Sequence, residues 1–343
     1  MLVSDFDYHL PPELIAQRPL PHRDDSRMMV VFRREGRILH ARFKEFPAHI
    51  SLGDVLILNN TRVIPAKVWG QKDGQDIEFL LLKEKKKGIW EALCRPAKRA
   101  KVGDIITFPA GQRGKIIEIG TEGKRTLSFT KPDVIAWLNK AGFPPLPPYI
   151  KRPKQTPDLR EMDLERYQTV FAKKRGAIAA PTAGLHFTPS VLSEIHEKGA
   201  KTLSITLQVG LATFQPVRIE RVEDHKMLEE TYSISRTVAE SINRAKQESR
   251  PVMAVGTTVV RTLESAWAER GVKAGKGATS LFIYPGREFK VVERLLTNFH
   301  LPKSTLLMMV AAFAGTDLIR EAYQEAVREK YRFYSYGDCM LIL

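Results

Sequence analysis

The sequence predicts a multidomain α and β protein, a mixed α/β main domain with an inserted small antiparallel β-barrel. Three observations carry this. Within residues 63–131 the apolar residues fall into five short runs with period-two character, 77–82, 89–93, 105–108, 115–119 and 126–129, separated by glycine and charged turns. That spacing suits antiparallel strands closing on one another. Outside this stretch, strands alternate with helices. Between the two textures lie residues 143–153, Phe-Pro-Pro-Leu-Pro-Pro-Tyr-Ile-Lys-Arg-Pro, too proline-rich for a helix or a central strand and read as a stiff extended connector. The expected division is 1–60 and 150–343 for the main domain and 61–149 for the barrel.

Taken in order, a double proline at Pro11 and Pro12 precedes a short helical pattern, and Arg23-Asp24-Asp25-Ser26-Arg27 reads as a solvated turn with ion pairs feeding the strand 28–32. Val55-Leu56-Ile57-Leu58 is a continuous apolar strand ending in Asn59-Asn60-Thr61-Arg62. A polar cluster at a strand's carboxyl end is either a binding edge, with Asn60 and Arg62 as candidates, or a turn leaving the domain. After the connector, 176–180 is expected as a buried strand, 202–209 as an alternating strand, 237–248 as an exposed helix, 252–255 as a buried strand and 290–295 as another. Two helices follow from Thr305, and the tail Tyr331-Arg332-Phe333-Tyr334-Ser335-Tyr336 reads as core packing.

A net charge of +15 makes a polyanionic partner plausible on charge alone as readily as it reflects a generally basic protein. Residues 61–150 hold 17 Lys and Arg against 9 Asp and Glu, a net +8. The densest point is Arg95-Pro96-Ala97-Lys98-Arg99-Ala100-Lys101, with no acidic residue beside it. Arg95, Lys98, Arg99 and Lys101 are therefore the candidates for RNA phosphates. Cys94 and Cys339 have no partner at metal-ligand spacing and read as reduced, so no metal is expected. The opening residues have no signal-peptide pattern, and the apolar run 306–314 is far too short to span a bilayer. A cytoplasmic protein is the expectation.

Three junctions look fit to hold a ligand. Residues 179–188, Ala-Ala-Pro-Thr-Ala-Gly-Leu-His-Phe-Thr, end in a cap and a first-turn proline, Thr188-Pro189. Ala183 and Gly184 are small enough for close approach, and His186 is the titratable group there. Residues 297–304, Thr-Asn-Phe-His-Leu-Pro-Lys-Ser, repeat that construction around His300. Gly256-Thr257-Thr258 joins a buried strand to a helix, whose free N–H groups suit an anion. Each is also an ordinary strand-to-helix turn when taken singly.

Along essentially its whole length the chain resembles the S-adenosylmethionine:tRNA ribosyltransferase-isomerase family of queuosine biosynthesis. The resemblance rests on residues 8–17 (Tyr-His-Leu-Pro-Pro-Glu-Leu-Ile-Ala-Gln), 60–66, 145–150, 165–170, 180–188, 254–258, 297–308 and 336–338. It implies a mixed α/β domain interrupted by a barrel, and a reaction in which the ribosyl part of S-adenosylmethionine is transferred and isomerised onto the 7-aminomethyl-7-deazaguanine base of a tRNA anticodon. Adenine and methionine leave, so S-adenosylmethionine is a consumed substrate, and no cofactor or metal is implied. The family's proposed route removes a proton from the 5′ carbon, which needs a positioned base. His186 and His300 are the candidates, with His225 secondary. Phe187 and Phe299 are placed to face the sulfonium, and the start of the 257 helix to receive the methionine carboxylate. Tyr167, Gln168, Pro181, Thr182, Ala183, Gly184, Arg261, Thr297, Asn298, Lys303 and Ser304 join Gly256, Thr257 and Thr258 as substrate-binding candidates. The chain departs from the family pattern at Gln208 and Leu228, where histidine is usual, and at Ala212, where glycine is. Neither missing imidazole can be indispensable if the chain is active. A methyltransferase would show a glycine-rich fingerprint after its first strand, and none is present. A non-catalytic RNA-binding protein would leave the small-molecule loops unexplained. A monomer is expected.

Overall fold

Val55 to Leu58 and Val252 to Val255 are apolar on both faces of an extended chain, the pattern of strands covered on both sides. The computed structural model, which describes residues 1–153, 156–210, 217 and 219–343, puts them side by side at the centre of a nine-stranded sheet. Ala212 lies outside the described residues.

In chain order the elements are β1 (Arg27–Phe32), β2 (Arg37–Arg42), β3 (Val55–Asn59) and β4 (Thr61–Val63), then β5 (Lys67–Lys72), β6 (Gln75–Lys86), β7 (Ile89–Arg95), β8 (Ile105–Phe108), β9 (Gln112–Ile119) and β10 (Lys124–Phe129). After α1 (Val134–Ala141) and α2 (Pro157–Arg166) come β11 (Lys174–Ala177), α3 (Pro189–Glu197), β12 (Lys201–Leu207), β13 (Glu230–Ile234), α4 (Arg236–Gln247), β14 (Val252–Val255) and α5 (Thr257–Ala266). The short pair β15 (Trp267–Ala268) and β16 (Gly271–Val272), β17 (Gly275–Thr279), β18 (Arg294–Asn298), α6 (Thr305–Ala314), α7 (Thr316–Arg328) and β19 (Cys339–Ile342) complete the chain.

The sheet order is β17-β13-β12-β3-β14-β18-β19-β1-β2. Its middle four strands, β12, β3, β14 and β18, run parallel, so their carboxyl ends open on one edge. Alternate residues serve opposite cores. Val55, Ile57, Val252, Ala254 and Leu295 pack with side chains of α4 to α7, while Leu56, Leu58, Met253, Val255 and Leu296 pack with Phe43, Phe46, Phe187 and α3.

The insertion is a closed six-stranded barrel, β10-β7-β6-β5-β8-β9, antiparallel throughout. Its inward residues Val68, Ile77, Phe79, Leu81, Ile106, Phe108, Ile116 and Leu127 form one core with Trp137 and Leu138 of α1. The connector leaves beside it through the Lys67 and Phe143 bridge.

Four expectations are corrected. The stretch 176–180 is not a strand of the main sheet: β11 stops at Ala177 and pairs only with β4. The strand expected at 290–295 begins later, as β18, because Glu264 draws the backbone N–H groups of Lys290, Val291 and Val292 to its carboxylate. Arg23 is no exposed ion-pair turn; its guanidinium donates to the carbonyls of Glu165, Arg166 and Leu185. The helix expected as exposed, α4, is amphipathic, burying Val238, Ala239, Ile242 and Ala245. Strands β2, β4, β5, β13, β15, β16, β17 and β19 have no counterpart among the sequence expectations. No helix of the described residues is long and apolar enough to cross a membrane.

Candidate active site

At the carboxyl edge of the parallel strands lies a cavity of about 590 Å³. The position is that at which open α/β sheets bind ligands. Its wall is made by the turn 179–183, by Gly256, Thr257 and Thr258 after β14, by residues 297–306 at and beyond the end of β18, by Pro148 and Tyr149 of the connector and by Tyr334 and Ser335 of the tail.

Two helices aim their amino ends at it. Gly256 holds φ +91, a backbone that glycine adopts without strain, and so turns β14 into α5 within one residue. Ser304 caps α6 by accepting from the Leu307 N–H at 3.2 Å. The N–H groups of Thr257, Thr258, Thr305 and Leu306 have no acceptor among the described residues, and all four residues line the cavity. Two positive helix ends with open donors favour a bound carboxylate or other anion.

His300 is the one imidazole of the wall among the described residues. Its Nε2 is 2.8 Å from Thr297 Oγ1, its N–H donates to Tyr323 Oη at 2.9 Å, and its carbonyl accepts from Tyr8 Oη at 2.5 Å. Burial pushes its pKa down to about 3, so the ring is neutral at pH 7. Tyr8 thus ties the amino-terminal segment to the His300 loop. Gln17 does the same for the connector, donating to the Tyr149 carbonyl at 2.9 Å and accepting from the Lys151 N–H at 2.8 Å. The rings of Tyr149 and Tyr334 pack with centroids 4.6 Å apart, and Tyr149 Oη meets Ser335 Oγ at 2.8 Å. Sequence reasoning missed this aromatic wall, although Tyr149 and Tyr334 lie inside stretches it had singled out.

Tyr167, Pro181, Thr182, Ala183, Thr297, Asn298, Phe299, Lys303 and Ser304 also line the cavity. Two of these are committed elsewhere: Lys303 pairs with Asp7 at 2.8 Å, and the Phe299 ring is enclosed by Tyr323, Tyr331 and Phe333. Six candidates lie away from the wall. His186 is behind it, 3% exposed, with Nδ1 2.6 Å from Ser26 Oγ and Nε2 3.2 Å from Asn298 Nδ2; burial pushes its pKa down to about 4. Phe187 is fully buried against Phe43, Phe46 and Phe171, so it offers no face to a cation. Gly184 is required by packing, since a Cβ there would come 2.7 Å from Phe171 Cζ. Gln168 acts as a strand partner, its Oε1 accepting from the Val63 N–H at 2.9 Å and its Nε2 donating to the Val63 carbonyl at 3.0 Å. Arg261 forms a buried ion pair with Glu230, whose other oxygen accepts from the Gly210 N–H at 2.9 Å. His225 packs edge-on to Phe282, and partial burial lowers its pKa.

At the positions where the family pattern has histidine, Gln208 accepts from Thr61 Oγ1 at 2.8 Å and donates to the Arg175 carbonyl, while Leu228 is exposed. Neither lines the cavity. Among the described residues no three His, Cys, Asp or Glu side chains group as a metal site; Cys94 and Cys339 are free thiols.

On the barrel, Arg95, Lys98, Arg99 and Lys101 are all exposed. Their loop is not free of acid as expected: Asp104 accepts from the Lys101 N–H and pairs with Lys72, both at 2.7 Å. Buried Arg125 fixes its shape by donating to the carbonyls of Ala97 and Ala100. Arg62 is exposed on β4, whereas the Asn60 side chain accepts from Thr206 Oγ1 at 2.7 Å.

A parallel-centred sheet with a cavity at its carboxyl edge and an inserted barrel defines a ligand-binding α/β protein, and comparison with known proteins narrows the class. The family described as queuosine biosynthesis protein matches residues 3–342, so the chain belongs to that family. It is 50% identical over 348 aligned residues, with both chains fully covered, to the S-adenosylmethionine:tRNA ribosyltransferase-isomerase of Halothermothrix orenii, and 49% identical, again with full coverage, to that of Desulfitobacterium hafniense. The crystal structure of S-adenosylmethionine tRNA ribosyltransferase from Thermotoga maritima is similar with a TM-score of 0.56 and 36% identity, covering 99% of this chain and all of that one.

Proposed function

We propose that this chain is an S-adenosylmethionine:tRNA ribosyltransferase-isomerase. It transfers and isomerises the ribosyl part of S-adenosylmethionine onto the 7-aminomethyl-7-deazaguanine base of a tRNA anticodon, with release of adenine and methionine. Full-length relatives near 50% identity support the activity. The observation that carries the site is the convergence of the α5 and α6 amino ends with His300 on one cavity. The methionine carboxylate binds the open N–H groups of a helix end. Tyr149 and Tyr334 supply an aromatic boundary for the sulfonium. His300, neutral at pH 7 and held by Thr297, is the base that takes the 5′ proton.

S-adenosylmethionine carries both leaving groups, methionine at its sulfonium and adenine on its ribose, and the reaction uses no metal or cofactor. The tRNA meets exposed Arg62 and the barrel loop, and the enzyme works as a cytoplasmic monomer. Release of free adenine from S-adenosylmethionine, measured by chromatography with and without tRNA carrying the 7-aminomethyl-7-deazaguanine base, tests the reading. Adenine should appear only with that tRNA and should survive chelation. Methyl transfer instead, or no consumption of S-adenosylmethionine, would refute it.

A further inference from the structure

One buried polar atom in the cavity wall has no partner. Asn298 is 2% exposed and lines the cavity, yet its Oδ1 makes no hydrogen bond. Buried polar groups are nearly always paired, so this orphan points to a polar ligand that completes it.

The Asn298 amide cannot simply turn over to satisfy its oxygen. Its Nδ2 faces three acceptors, His186 Nε2 at 3.2 Å, the Tyr334 carbonyl at 3.0 Å and the Asp338 carbonyl at 3.4 Å. A flipped amide would set Oδ1 against two carbonyl oxygens. The amide in turn sets the imidazole. With an Asn298 N–H facing Nε2, His186 keeps its lone pair there and its proton on Nδ1, so Ser26 Oγ accepts from Nδ1 at 2.6 Å and donates to the Arg23 carbonyl at 2.9 Å. The order is Asn298 to His186 to Ser26 to Arg23, and it leaves Asn298 Oδ1 an acceptor without a donor.

We infer that Asn298 Oδ1 is the fixed acceptor for an N–H or O–H group of S-adenosylmethionine, and that His186 is a positioning residue that holds it. The inference rests on the cavity being the S-adenosylmethionine site. The donor is the adenine amino group, a ribose hydroxyl or the α-ammonium, which share the chemistry and are separable by analogue.

The test is calorimetric binding of S-adenosylmethionine and of forms lacking the adenine amino group, the 2′-hydroxyl, the 3′-hydroxyl or the α-amino group, to the parent chain and to Asn298→Leu. One analogue should bind the parent about ten- to a hundredfold more weakly than S-adenosylmethionine, the cost of an acceptor left unpaired, and bind Asn298→Leu as well as S-adenosylmethionine does. Equal penalties in both proteins would mean that ordered water alone completes Oδ1 and would overturn the inference. A parent that does not bind S-adenosylmethionine at all would instead remove the reading on which it rests.

Should Asn298→Leu fail to fold, Asn298→Ala carries the same comparison, because it too removes the Oδ1 acceptor. Kinetics separate positioning from catalysis. In His186→Gln and Ser26→Ala the KM for S-adenosylmethionine should rise about tenfold while the pH profile of kcat keeps its shape. Loss of one limb of that profile in His186→Gln would make His186 a proton-transfer group and overturn its assignment.

Discussion

Thr297 Oγ1 and His300 Nε2 stand 2.8 Å apart, at either end of the short segment that carries the chain from β18 towards α6. The bond fixes the ring against the cavity wall through one nitrogen. His300→Gln should lower the rate of adenine release by about 10² to 10⁴, the usual worth of a positioned general base. Binding of S-adenosylmethionine should change little. Thr297→Val should give a smaller fall, since the base remains but its orientation is no longer held. A His300→Gln variant within a few-fold of parental kcat would assign the proton abstraction to another group.

Both buried imidazoles make acid stability predictable. Their pKa values lie at about 4 for His186 and about 3 for His300, against 6.5 when unfolded. The unfolded chain therefore binds more protons than the native one below pH 6.5, and stability rises with pH across that window. The contribution is complete above about pH 6.5 and is lost as pH falls towards 4. Urea midpoints compared at pH 7.5 and 5 should drop more in the parent than in His186→Gln, which has one imidazole fewer to charge. Parallel pH dependences for the two would show that His186 is not held neutral.

Glu230 and Arg261, 2% and 5% exposed at their side chains, form an ion pair that also holds the Gly210 N–H. Glu230→Ala leaves a buried guanidinium without its partner and should destabilise by about 3–5 kcal/mol. Replacing both residues, as Glu230→Leu with Arg261→Met, should recover most of that loss in a urea titration. If the double variant is no better than the single one, the carboxylate's bond to Gly210 is what matters.

Much of this architecture is legible in the chain because burial leaves a period. The unbroken apolar runs of β3 and β14 announce strands covered on both faces, and the two-residue alternation of β6, β7 and β8 announces a barrel. Thr188-Pro189 and Ser304 mark helix starts that the structure contains. Long-range partners left no such trace. Nothing near Arg261 in sequence points to Glu230, 31 residues away, and nothing near Tyr149 points to Tyr334. His186 and His300 have the same flanking pattern, yet β18 brings one to the cavity wall while Asn298 stands between the cavity and the other. That difference is created by packing between segments more than a hundred residues apart, which local residue types do not encode.

The division of labour between sheet and barrel gives the last test. Arg95, Lys98, Arg99 and Lys101 are exposed, and the loop's carbonyls are gripped by buried Arg125, so removing surface charge should leave its shape intact. If these side chains meet tRNA phosphates, each contact contributes a salt-dependent and sequence-independent term. A variant with Lys98, Arg99 and Lys101 all changed to alanine should bind tRNA more weakly, and the slope of log affinity against log salt should flatten by about 0.7–0.9 per lost contact. Affinity for S-adenosylmethionine, whose cavity lies at the sheet edge, should hardly move. The competing arrangement has RNA bound around the cavity mouth, near Arg62 and Lys303, with the barrel loop merely solvated. In that case the triple variant would titrate tRNA like the parent at every salt concentration and only Arg62→Ala would weaken binding, whereas contact at both places predicts a loss in each variant. Parallel filter-binding titrations of the two variants across a salt series decide between them.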